Sequence, residues 1–454
     1  MFRKKAPNPS PVSSVVLRRL EWSVMSESAR TELCSRGMSD IFDPALVASI
    51  GALIEDVRRN GDRAICKALA THDRIKLSPA DLKVSDQDIA EATISPELES
   101  AIDAAINNLT KFNTELRTRL HNWSVEIAPG LTAGEKVTPI SSVGLFVPSG
   151  KASYPSVALQ LGVPAVVAGV REIVLIVPPI PGGNGEVDPA VLVICRKLGI
   201  KNVFRVNGPA GVAALGFGTE TIPRVHKVMG PGSPAVTCAQ VLMQSKGLAT
   251  MMLLGPTESI VIADSSADAK RVAADLLIEA EHGTDSSVLL VSDSVSLIES
   301  VERELVIQIS RLPEIRAAAA RASLGVNGGA ILVSSMMEAA EVSNRYAPEH
   351  LQIAVNPQVR EELLAALINA GEILVGQDTP FSAANFLIGC PASLPTSGYA
   401  HVSSGINVDA FLKRTAIAEA DASALSTMAD HVIAFADHEG FPAHGNAIRE
   451  RRQS

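Results

Sequence analysis

Apolar residues in this chain recur with two different periods, and the switch between them outlines the fold. From about 43 to 120 the period is helical. Ala45, Leu46, Ile50, Leu53, Ile54 and Val57 share one helical face before Gly61, and Ser95-Pro96 opens a second amphipathic helix through Leu109 and Phe112. Around 139 the texture changes to short unbroken apolar runs. Ser142-Val-Gly-Leu-Phe-Val-Pro148 predicts a buried strand, with Gly150 at the turn and a helix running on towards Gly162. Glu172-Ile-Val-Leu-Ile-Val-Pro178 predicts the next strand, Pro178–Gly185 a loop, Pro189–Leu198 a helix, and Asn202-Val-Phe-Arg-Val206 a further strand.

A second alternation follows. Glu258-Ser-Ile-Val-Ile-Ala-Asp264 predicts a strand and Ala267–Ala280 a helix. Ser287-Val-Leu-Leu-Val-Ser-Asp293 and Val295–Ser310 repeat that order, and Gly329–Val333 and Leu351–Val355 are further strands. From about 407 the chain is rich in alanine and predicted helical. Strand and helix in turn predict an α/β fold with parallel sheets, one unit covering roughly 146–256. With 454 residues, at roughly 150 per domain, two to four units are expected.

Composition agrees. Hydrophobic residues make up 46% but aromatics only 4%, so small aliphatics form the core, as buried parallel strands require. A net charge of −9 without a basic stripe argues against nucleic acid as a partner. Five scattered cysteines, Cys34, Cys66, Cys195, Cys238 and Cys390, form no C-x-x-C and suit reduced thiols. The basic start Met-Phe-Arg-Lys-Lys lacks an apolar core, so no secretory signal is expected. The longest apolar run, Val157–Val170, contains Gln160 and Pro164 and is too short for a membrane span. The expected location is cytoplasmic.

Chemistry concentrates at Tyr346-Ala-Pro-Glu349-His350-Leu351. A carboxylate beside an imidazole exchanges protons near neutral pH, although such a pair alone is most often a solvated surface feature. Three other stretches add weight: Glu279-Ala-Glu-His282, Thr379-Pro-Phe-Ser-Ala-Ala-Asn385 and Glu439-Gly-Phe-Pro-Ala-His444. Glu279 and His282 are three apart on a predicted helix, share a face, and suit a metal. Singly, each of these is more often an ordinary surface residue.

In this order, over roughly 40–450, the motifs resemble the histidinol dehydrogenase family. That family carries Gln-Ala-Glu-His where this chain has Glu279–His282, Gly-Asp-Tyr at Ala384-Asn385-Phe386, and a Glu-Gly…Ala-His matched by Glu439–His444. The resemblance implies one Zn²⁺ per subunit, held by Glu279, His282, Asn385 and His444, the last supplied by the partner of a homodimer. It implies Glu349 and His350 as the acid/base pair of an NAD-dependent oxidation of an alcohol to an aldehyde and then a carboxylate. It also implies two Rossmann-like α/β domains in an intertwined homodimer. The expected layout is an N-terminal arm (1–42), a larger split domain (43–145 and 257–406), a smaller cofactor-side domain (146–256), and a helical segment (407–454) reaching the partner.

The departures from the family pattern shape the substrate expectation. Two ligand positions differ, but complementarily: neutral Gln and anionic Asp become anionic Glu279 and neutral Asn385, so the ligand charge is conserved and zinc retention is expected. The substrate-side candidates are Thr257, Lys151 and Glu439. A histidine that helps hold the substrate has become Ala392, and Lys151 suits an anionic substrate group, a cofactor phosphate or plain solvent. A small alcohol other than histidinol is therefore the expected substrate, with an anionic diol such as 2,3-dihydroxypropane-1-sulfonate as one example that suits Lys151 and Ala392. The alternatives are L-histidinol itself, or a non-catalytic ligand-binding homologue.

For the cofactor, the family's contacts fall at Phe146, Ala210 and Ser233. Gly230-Pro-Gly232-Ser-Pro-Ala lacks the third glycine of a dinucleotide fingerprint. The stretch Gly144–Ala152 has neither the spacing nor the hydroxyl of a phosphate loop. NAD remains the expected oxidant.

Overall fold

Strands buried on both faces need helices on both sides, and the unbroken apolar runs are placed accordingly. The computed structural model describes residues 16–35, 43–149, 153–251 and 255–452. Its strands, in chain order, are β1 (Arg19–Glu21), β2 (Trp123–Ala128), β3 (Leu131–Pro139), β4 (Ser142–Phe146), β5 (Glu172–Val177), β6 (Asn202–Arg205) and β7 (Lys227–Met229). They continue with β8 (Glu258–Ala263), β9 (Ser287–Ser292), β10 (Gly329–Leu332), β11 (His350–Ala354), β12 (Glu372–Val375) and β13 (Leu412–Ala420).

The first sheet is parallel, ordered β6-β5-β4-β7. Its residues alternate between two cores, as the two-residue period of a strand demands. Val143, Leu145, Leu175 and Val177 pack with the helices Pro96–Arg119, Pro155–Ala168 and Pro189–Leu198. Phe146, Val174 and Ile176 pack on the other side with Pro44–Asn60, Gly208–Phe217 and Pro234–Gln244. The helices of 44–119, grouped by family resemblance with 257–406, thus bury their apolar faces beside this smaller sheet.

The second sheet is also parallel, ordered β1-β10-β9-β8-β11-β12. One face packs on the helices Ala269–Ala280 and Val295–Ile309, the other on Met336–Tyr346 and Pro357–Ala366. Mixed α/β architecture with parallel sheets is as expected from sequence.

The C-terminal expectation needs correction. Leu412–Ala420 is a nine-residue strand, not a helix, and pairs antiparallel with β3 from Leu412↔Pro139 to Ala420↔Leu131. Its alanines favour helix locally, but the antiparallel ladder offered by β3 overrides that preference. Helices follow only at Ala422–His438 and Pro442–Arg452. In the resulting sheet β13-β3-β2, all of β2 and the last eight residues of β13 are exposed. Trp123 and Val125, two apart and so on one face, are 49% and 50% exposed.

Among the described residues no helix is long and apolar enough to cross a membrane. Part of the 1–42 arm, and Lys151, lie outside the described residues.

Candidate active site

The Glu349-His350 pair sits where a helix hands over to a strand. The helix Met336–Tyr346 ends with Ala347 in the left-handed region, φ 51° and ψ 65°. A non-glycine residue there is strained, a state that persists only where the surroundings impose it. The surroundings are visible: the fully buried Tyr346 donates its hydroxyl to Ser287 Oγ at 2.7 Å, and Ala347 N bonds Ser343 O at 2.7 Å. The chain then turns through Pro348 and Glu349 into β11, which His350 opens.

His350 is 3% exposed, hydrogen-bonded at one end of its ring and flanked by carboxylates at the other. Nδ1 lies 2.6 Å from Glu372 Oε1, while Nε2 lies 3.7 Å from Glu349 Oε1 and 4.0 Å from Glu279 Oε1. Phe381 packs edge-on at 5.6 Å. Glu349 in turn accepts from Glu258 N at 3.2 Å, and Glu258 accepts from Ser397 N. The cluster lies at the amino ends of β8, β11 and β12, opposite to the carboxyl ends where open α/β sheets usually bind ligands.

Burial pushes the Glu349 carboxyl above its ordinary range; the His350 charge opposes this, and Glu279 and Glu258 reinforce it. Burial alone would lower His350, but Glu279, Glu349 and Glu372 outweigh it and raise the imidazole. Negative charge dominates the surroundings of both groups.

Three of the four expected metal ligands come together. Glu279, fully buried, ends the helix Ala269–Ala280, whose start is capped by Asp268. His282 Nε2 lies 3.6 Å from Glu279 Oε2, with its other nitrogen 3.3 Å from Thr257 Oγ1. Asn385, on the π-helical turn Ala384–Ile388, donates Nδ2 to Glu279 Oε1 at 2.9 Å. Glu279 Oε2 has no hydrogen-bond partner although it is buried. A buried carboxylate oxygen without a donor, beside an imidazole nitrogen and an amide, fits a cation such as Zn²⁺.

His444 does not join them within one chain. It is exposed on the helix Pro442–Arg452, as is Glu439 before it, and it stacks at 5.2 Å on the likewise exposed Phe441. Among the described residues no three His, Cys, Asp or Glu side chains are arranged to hold a metal. The four expected positions are thus not brought together within one chain.

The cofactor candidates divide. Phe146 and Ala210 are core residues, 2% and 0% exposed, so neither side chain is presented to a ligand, contrary to the sequence expectation; aliphatic packing in the first sheet claims both. Ser233 is exposed at the N-cap of the helix Pro234–Gln244 and makes no capping bond. Just before it, Gly230 has φ 138°, and a Cβ there would meet Phe146 O at 2.1 Å, so only glycine fits. This open helix start follows β7, beside β4, where the strand order reverses, the usual place for a dinucleotide phosphate. The backbone here fits NAD better than the side chains do.

Sequence reasoning missed Glu372. Its signal was a single charged residue opening the otherwise apolar Glu372-Ile-Leu-Val375.

A family model described as histidinol dehydrogenase matches residues 39–452. A histidinol dehydrogenase from Synechocystis sp. is 39% identical over 438 residues, 96% of this chain and 99% of that one. A histidinol dehydrogenase homolog from Colwellia psychrerythraea is 37% identical over 433 residues, 95% of each chain. The crystal structure of histidinol dehydrogenase from Elizabethkingia anophelis superposes with a TM-score of 0.89 at 30% identity, covering 96% of this chain and 98% of that one. These likenesses overturn the expectation of a substrate other than histidinol, such as an anionic diol. That expectation weighed Ala392 and Lys151 alone, whereas the similarity to histidinol dehydrogenases extends over nearly the whole chain.

Proposed function

This chain belongs to the histidinol dehydrogenase family, and from that premise we propose that it oxidises L-histidinol to L-histidine with NAD⁺, as a zinc-dependent homodimer. The observation that carries the chemical reading is the buried His350, whose Nε2 is flanked by Glu349 and Glu279 beside the half-exposed His282.

When bound, Zn²⁺ supplies orientation and polarisation of the substrate, and NAD⁺ supplies the hydride acceptor. Glu279, His282 and Asn385 would hold the metal, with His444 of a second copy completing the set. Ser233 and the glycine turn before it would hold the cofactor's phosphates. The chain's own residues handle protons. His350 Nε2 takes the proton of the substrate hydroxyl as the carbon loses hydride, leaving an aldehyde. Glu349, held by Glu258 N, then takes a proton from water as the oxygen adds to the aldehyde carbon. The hydrate then gives a second hydride to a second NAD⁺ and releases its two hydroxyl protons, leaving the carboxylate. Thr257, beside His282, and Glu439 of the second copy line the substrate side.

The homodimer draws support from the three-stranded sheet and the C-terminal segment 407–454. The sheet β13-β3-β2 and the helices after it leave Trp123, Val125, Phe435 and Phe441 exposed, and isolated apolar faces of this kind are normally covered. The residue that would complete the metal set, His444, lies on this same C-terminal segment.

The deciding experiment is NADH formation by zinc-loaded protein supplied with L-histidinol. Steady turnover with histidine as the product supports the reading. Absence of NADH at saturating histidinol and NAD⁺, in a folded and zinc-replete sample, refutes it.

A further inference from the structure

β11 and β12 are neighbouring parallel strands in which His350 and Glu372 are register partners. Their side chains therefore leave the same face of the sheet. Glu372 is 9% exposed, and a carboxylate at such a position persists only when its oxygens are bonded. Both are. Oε1 lies 2.6 Å from His350 Nδ1, and Oε2 accepts from the Cys390 thiol at 3.6 Å. Phe381, edge-on to the imidazole, packs a further side of the ring.

This geometry has a chemical consequence. An ionised carboxylate can only accept, so the nitrogen facing it must carry the hydrogen. Nδ1 faces Glu372, which leaves Nε2 facing Glu349 and Glu279. The alternative tautomer would point a lone pair at the Glu372 oxygen and place the hydrogen on the reactive side.

We propose that Glu372 is the positioning residue for His350: by binding Nδ1–H across the β11–β12 pair, it fixes the ring and reserves Nε2 for accepting the substrate proton. The kinetic consequence rests on the histidinol-oxidising function proposed above. The hydrogen-bond arrangement does not, because it exists in the protein without substrate.

The test uses the full-length, zinc-loaded protein. Glu372→Gln conserves size, but its amide can rotate to offer a donor to Nδ1 and so select the wrong tautomer. With L-histidinol, kcat is expected to fall about 10²-fold while KM stays within about threefold. Glu372→Asp, which keeps the carboxylate, should recover about tenfold of that loss. A Glu372→Gln enzyme whose kcat stays within about twofold of the parent overturns the proposal, as does equal loss in the Asp and Gln variants. A second readout needs no turnover. In ¹⁵N-histidine-labelled protein, the His350 signal, identified by its loss in His350→Asn, should show a protonated, hydrogen-bonded Nδ1. That signature should weaken in Glu372→Gln. An unprotonated Nδ1 in the parent overturns the proposal. If the parent fails to oxidise histidinol, the function fails while the nitrogen spectrum still decides the role of Glu372.

Discussion

Asn385 donates its amide to Glu279 Oε1 across 2.9 Å, joining two side chains 106 residues apart, while the other Glu279 oxygen stays buried and unanswered. Leaving such a group unpaired costs on the order of 1–3 kcal/mol, and a bound cation would offset that cost.

The first prediction concerns this charge. Glu279→Gln should raise the melting temperature of metal-free protein and shrink the further rise on adding zinc. Asn385→Asp sets two carboxylates side by side, so it should do the reverse. Each change is expected to be about 1–3 kcal/mol, a few degrees in Tm. The double variant Glu279→Gln/Asn385→Asp should return both quantities towards the parent. Thermal melts in chelator and in zinc check this. Equal zinc shifts in all four proteins would show that these residues do not hold the metal.

A shared site predicts complementation. His444 is exposed in the single chain, so His444→Ala should alter stability by less than about 0.5 kcal/mol yet abolish histidinol oxidation. His282→Ala should also be inactive. Unfolding the two together and refolding them should restore about a quarter of parental activity, because half the dimers then contain one intact site. No recovery, with mixed dimers verified by mass, would exclude a partner ligand.

The uncovered sheet gives a separate test of assembly. Trp123→Lys/Val125→Lys changes two exposed positions on one face of β2. In a lone chain this should be nearly neutral. In a dimer that covers β2, it should convert the protein to monomers in light scattering and remove activity.

Asp275 predicts a pH effect on stability. Burial pushes its carboxyl up from 3.8 to about 6, against the pull of Gln352 and Arg271. The folded state therefore binds this proton more tightly than the unfolded chain. The contribution is fully present below about pH 4 and is lost as pH rises through about 6. Asp275→Asn should stabilise the protein by about 1–3 kcal/mol at neutral pH, with the advantage vanishing near pH 4. Urea unfolding at both values measures it. An advantage independent of pH would show that Asp275 does not titrate between them.

The amino-acid order by itself determined much of this protein. Apolar runs such as those of 260–263 and 288–291 announce buried parallel strands because a strand covered on both faces has few positions for a polar residue. Local spacing likewise brought Glu279 and His282 together, although the helix ends at Ala280 and His282 lies in the turn beyond it rather than on a shared helical face, and adjacency joined Glu349 to His350. Tertiary structure decided whatever depends on pairing across long separations. Leu412–Ala420, alanine-rich and helical by local preference, became a strand because β3 offered a ladder. Phe146 and Ala210, aligned with cofactor contacts, went to the core because their strand and helix face it. Glu372 met His350 only through the register of β11 on β12, and Asn385 met Glu279 only once the turn after Phe381 was packed on the helix. Such meetings leave no period in the sequence, since a hydrogen bond between distant residues depends on the path of the backbone between them and not on either neighbourhood.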